Sequence, residues 1–168
     1  NHPCESNFGF HYDLDSLDYD LIEVWNGPMR PANLEALARW DAMLKAGRKQ
    51  VATCGSDYHE DTFFQRLASP CIYVLADSNS DSDILKAVKA GRSYFAFSPT
   101  KLQLVLDVDG QTFGASLAWR EGMQVSLKAL ALEKGDIIRL NTQEGAKDIF
   151  TAPEKGNFET SLPVTSPG

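Results

Sequence analysis

"LIEVWNGPMRPANLEALARWDAMLKAGRKQVATCGSDYH", residues 21–59, decides the fold class, because it reads as strand, helix and strand in one passage. It opens within "YDLIEVWNG" (19–27), a short β-branched and aromatic run closed by Asn26-Gly27, as a buried strand should be. Pro31 suits a helix's first turn, where its missing N–H would have no helical partner anyway. Leu34, Leu37, Ala38 and Leu44 fall near one side of that helix. Gly47 suits the left-handed position just past its end. "KQVATC" (49–54) is a second short strand, and "GSDYH" is the loop at its carboxyl end.

The same rhythm continues outward. "CIYVLAD" (71–77) is a third strand, "SDSDILKAVKAGRS" a helix capped by Ser80 or Ser82 and ended by Gly91, and "SYFAFS" (93–98) a fourth strand. Strands alternating with helices predict a parallel sheet, either open and doubly wound or part of a (β/α) barrel. Both architectures gather functional residues at the carboxyl ends of strands. After Pro99 the pattern changes. Leu102, Leu104, Leu106 and Val108 alternate with largely polar neighbours before an Asp109-Gly110 turn, and Val125, Leu127 and Ala129 alternate again. "DIIRLN", "KDIFTA" and "NFETSLPV" add short strands at regular spacing. The expectation is an α/β region over 1–98 and a small antiparallel, sandwich-like β-domain over 99–168.

Composition bounds the function. The 168 residues are 43% hydrophobic and 23% charged, ordinary for a soluble globular protein. A net charge of −7 without any Lys/Arg cluster argues against nucleic acid and against an anionic membrane surface as partners. No apolar run approaches the roughly 20 residues that span a bilayer. The opening "NHPCESN" reads as an internal cut, so cytoplasm and export both stay open as compartments. Three cysteines without CxxC spacing read as free thiols.

On an extended loop, residues i and i+2 point the same way, so Asp57 and His59 reach one point. His2 is biased toward extended backbone by Pro3. Imidazole with carboxylate is the usual donor set of hydrolytic metal sites. "NHP", "IEVWNG", a helix and "GSDYH", with "AGRSY" (90–94) after the second helix, together resemble the polymerase-and-histidinol-phosphatase (PHP) family of metal-dependent phosphoesterases. The match is nearest to the branch that includes carbamate- and ester-cleaving metallohydrolases.

That resemblance implies a distorted (β/α)7 barrel, of which this chain supplies the C-terminal half, followed by the β-domain. It implies metal donors at His2, Asp57 and His59, with Asp57 and His59 catalytic, and divalent zinc, manganese or iron as cofactor. The reaction would be hydrolysis of a small-molecule phosphate ester by metal-activated water, or of a carbamate, ester or amide. The family's H-x-H motif is missing, and His2, His11 and His59 are the only histidines. The chain is therefore expected to be a C-terminal portion that lacks the N-terminal half of the barrel and is inactive alone.

Other residues carry less. Glu23 and Asn26 are candidates to brace the donors. His11 and Arg92 are candidates to touch substrate, set against an exposed loop residue and a cap on helix-end carbonyls. Cys4 and Cys54 flank the two motifs, and thiol ligation is a minor alternative. The opposing reading is a non-catalytic binding or interaction module in which Asp57 and His59 are solvated loop residues.

Overall fold

A computed structural model describes residues 1–7, 9–60, 66–100 and 103–165. The chain divides into two units, Asn1–Pro99 and Thr100–Gly168. No helix among the described residues is long and apolar enough to cross a membrane.

In the first unit, β1 (Leu21–Asn26) and β2 (Val51–Gly55) run parallel, joined through α1 (Pro31–Lys45). The register runs from Leu21 opposite Val51 to Asn26 opposite Gly55, with an irregularity between Glu23 and Trp25. Leu14, Ile22, Val24, Met43 and Ala52 form the core, with Tyr19, Trp40 and Phe95 packed against it. Each large side chain buried there contributes about 1.5–3 kcal/mol. α1 ends where Gly47, at φ +82°, lets the Gly47 and Arg48 N–H groups fold back onto the Leu44 and Met43 carbonyls.

The helix is turned relative to the expected apolar side. Leu34, Leu37 and Leu44 are 57%, 43% and 40% exposed, and Ala38 is exposed too, while Asn33, Ala36 and Met43 are buried. Stepping from 34/37/44 to 33/36/43 shifts the set by one residue, which is a turn of about 100° about the helix axis. Two polar anchors set that angle. The Asn33 amide is tied to the main chain of Asn26 and Pro28, and Trp40 Nε1 donates to the Gln50 carbonyl at 2.8 Å.

The expected (β/α) half-barrel is absent among the described residues. β3 (Cys71–Val74) and β4 (Ser93–Ala96) form a separate two-stranded sheet, and they pair antiparallel, Cys71 opposite Ala96 and Val74 opposite Ser93. The intervening α2 (Asp81–Lys89) is an excursion at the end of a hairpin, whose neck closes with the Leu75 N–H donating to the Arg92 carbonyl at 2.8 Å. The alternation of strand and helix is real. It does not specify a crossover, because a strand that restarts beside the end of its predecessor pairs antiparallel. A parallel pairing would need α2 to carry the chain back to the start of β3. The only parallel ladder among the described residues is β1–β2. The described residues form no TIM-like barrel.

The second unit is antiparallel throughout its described ladders. β5 (Gln103–Asp107), β6 (Gln124–Leu132) and β9 (Gly156–Pro163) make a sheet in the order β5-β6-β9, and β7 (Ile137–Thr142) pairs with β8 (Gly145–Thr151). The inward members of the alternating strands, Leu104, Leu106, Leu127, Ala129, Leu132, Ile138, Phe150 and Phe158, share one core. Asp109 and Gly110, both at positive φ, form a tight turn between Val108 and Gln111, which exchange two backbone hydrogen bonds. Leu102, the first member of that alternation, lies outside the described residues.

Candidate functional site

The site begins where β1 and β2 end. The Gly27 N–H donates to the Gly55 carbonyl at 2.9 Å, holding the two strand exits together. Beyond Gly55 the chain reaches Asp57 at φ +48°, a left-handed conformation that costs an L-residue about 1–2 kcal/mol. The first residues of the chain arrive beside it. His2 is also left-handed, at φ +50°, and its carbonyl accepts the Phe10 N–H at 3.0 Å, closing a loop over residues 2–10. That loop requires Gly9: a Cβ there would stand 1.9 Å from the Glu5 carbonyl oxygen. Strain of this kind persists only where surrounding structure enforces it, and it gathers at functional sites.

His2 stands between two carboxylates. Its Nε2 lies 3.8 Å from Asp57 Oδ2, and its Nδ1 lies 3.9 Å from Glu23 Oε2. The other Asp57 oxygen is 3.2 Å from His59 Nε2, with the His59 side chain 77% exposed. Nδ1 of His2 is buried without a hydrogen bond, an uncommon state for a buried polar atom. Glu23, its side chain 9% exposed, accepts the His2 main-chain N–H at 2.8 Å and a bond from Asn26 Nδ2 at 3.3 Å. Asn26 Oδ1 in turn accepts from Arg30 Nη2 at 3.4 Å, and the same Arg30 nitrogen is 3.1 Å from Glu5 Oε1.

The fit to a metal ion is partial. Zinc holds nitrogen and oxygen donors at about 2.0–2.2 Å, so two donors of one ion stand roughly 3–3.6 Å apart. The two histidine–aspartate pairs approach that spacing and are of the right chemical type. Their arrangement falls short in number. Among the described residues no group of three or more His, Cys, Asp or Glu is placed to hold a metal ion. The expected trio of His2, Asp57 and His59 stands as two pairs sharing Asp57, whose two oxygens face different imidazoles. Each pair would need at least one further donor to reach a catalytic set of three.

The structure draws His2, Glu23, Asn26, Asp57 and His59 together and leaves out two candidates. His11 is exposed and makes no polar contact with the others among the described residues. The Arg92 guanidinium is 3.2 Å from Asp77, and its main-chain N–H caps α2 by donating to the Ala87 carbonyl at 3.0 Å. Arg92 thus serves the helix end and the hairpin neck. All three cysteines are free. Burial, with the negative charges of Cys71 and Glu23 adding to it, pushes the Cys54 thiol up to about 12, so it is held as the neutral thiol. Gly9, Glu5 and Arg30 escaped sequence reasoning; the "NFGF" glycine was the one local signal available.

Beside the site is a cleft of about 270 Å³ lined by Phe10, Leu14, Leu17, Tyr19 and Ile22, with Glu23 and Asp18 also on its wall. A wall of this kind suits an apolar group with a few polar contacts. No protein-family model, curated protein or solved structure matches the chain.

Proposed function

We propose that this chain carries part of the catalytic centre of a metal-dependent hydrolase acting on a phosphate ester. One observation carries the reading: residues 55 apart in sequence, His2 and Asp57, are both held in left-handed backbone and face each other at the carboxyl ends of parallel strands. His59 flanks Asp57 on its other side. The "NHP" and "GSDYH" motifs support the same reading through their resemblance to the PHP phosphoesterases. A divalent ion bound there would supply an activated water and polarise the scissile phosphoryl group. The further donors that a catalytic set of three needs are not found among the described residues.

The test uses a protein extended upstream of Asn1 to include any H-x-H segment its coding sequence contains, assayed on p-nitrophenyl phosphate with zinc, manganese or iron. Turnover lost in His59→Ala and Asp57→Ala supports the proposal. Equal turnover in those variants refutes it, as does absence of bound metal in both the extended protein and the 168-residue chain, which would favour a non-catalytic binding module. The apolar cleft beside Glu23 favours a second reading, cleavage of an uncharged carbamate or aryl ester. Parallel kinetics on p-nitrophenyl acetate separate the two.

A further inference from the structure

We propose that Glu23 is a positioning residue for His2, orienting it through the main chain, and is not itself a donor to an ion; this rests on the donor role given to His2 above. A glutamate within an apolar strand, nine-tenths buried, needs partners, because an isolated buried carboxylate is strongly disfavoured. Among the described residues its hydrogen bonds go to His2 and Asn26, not to a lysine or arginine. The bond to His2 uses the backbone N–H, the group that must be held if a residue at φ +50° is to keep its side chain aimed at Asp57.

Glu23 is itself held from behind. Asn26 donates to its Oε1, and Asn26 is fixed in place by the Asn33 amide, which takes the Asn26 N–H and donates to the Asn26 carbonyl. The first turn of α1 thus clamps the end of β1, the end of β1 clamps Glu23, and Glu23 clamps His2. Groups that orient a ligand in this manner commonly change metal affinity 10–100-fold when removed.

The distinguishing variants are Glu23→Gln, which keeps an acceptor oxygen, and Glu23→Ala and Glu23→Met, which do not; Met keeps the volume should Ala fail to fold. The primary readout is the NMR signature of the His2 amide and ring in the metal-free 168-residue chain, assigned with His2→Ala. The expected result is that Ala or Met moves the His2 resonances toward those of the exposed His11, while Gln restores them. In zinc titrations of the same proteins, Ala or Met weakens binding roughly 10–100-fold and Gln leaves it near wild type. His2 resonances unmoved in both Ala and Met overturn the proposal. So does a Gln variant that loses zinc as fully as Ala with His2 unmoved, since the carboxylate would then be a donor. If wild type takes up no zinc while the His2 resonances respond as expected, the positioning role stands and the metal reading falls.

Discussion

At the scale of single residues, backbone conformation and protonation decide what the site can do. Gly9 has no tolerance for a side chain, and the loop it closes holds His2. Gly9→Ala is therefore expected to break the Phe10–His2 hydrogen bond and release His2 from Asp57. Amide exchange at Phe10 should accelerate while exchange in the second unit stays unchanged; an unchanged Phe10 rate would refute the prediction. Cys54 offers a second check. With its thiol near 12, the thiolate fraction at pH 8 is about 10⁻⁴, against roughly a quarter for an unperturbed cysteine. Iodoacetamide at that pH should label Cys54 most slowly of the three cysteines, by mass spectrometry, and should label it readily in denaturant. Cys4 and Cys71 are also raised by burial, so the ordering is the informative result.

At the scale of elements, the rotation of α1 is the consequential feature, because it brings Asn33 rather than a leucine under the end of β1. Asn33→Leu adds apolar surface yet strips partners from the Asn26 N–H and carbonyl and the Pro28 carbonyl. Orphaned buried groups cost about 1–3 kcal/mol, so urea denaturation should show a loss of that size. Leu37→Ser, on the exposed side, should stay within about 0.5 kcal/mol of wild type. The opposite ranking would mean that the helix faces the other way. In the β7–β8 hairpin, the Arg139 guanidinium hydrogen-bonds Asp148 through two nitrogens and holds its carboxyl below the usual 3.8. A carboxylate whose folded value is depressed contributes stability above its unfolded value, and loses it as pH falls through the folded one. Thermal melts taken from neutral pH down through about pH 4 and below should fall less steeply for Asp148→Asn than for wild type. The difference should be small and shrink with added salt, because the pair is exposed.

At the scale of the whole molecule, the two units differ in how completely they satisfy themselves. The second has a contiguous core around Ala129 and Leu132, which are 0% and 1% exposed, shared by residues of a three-stranded and a two-stranded antiparallel sheet. Residues 100–168 expressed alone are expected to give a cooperative thermal transition and β-type circular dichroism; a non-cooperative melt would contradict this. The first unit rests on a two-stranded parallel ladder, a separate hairpin and one core cluster, with several leucines exposed on α1. Small isolated sheets of this kind are marginal without further packing.

Much of this was legible locally. The strands of residues 21–26 and 51–55, both helices, their glycine stops, the Ser80 cap and the Asp109-Gly110 turn follow from short-range rules about periodicity, missing N–H groups and left-handed backbone. Asp57 and His59 were marked out by their two-residue spacing and His2 by its motif, but the extended backbone expected at Asp57 and His2 is left-handed in the fold, at φ +48° and +50°. Three things were decided only in the folded chain: the direction in which β4 meets β3, the face that α1 buries, and the number of donors that converge near Asp57. Each depends on contacts between residues far apart in sequence. Periodicity records that a segment has an apolar side, but hydrogen bonds such as those of Asn33 and of the Leu75–Arg92 neck determine which way that side turns.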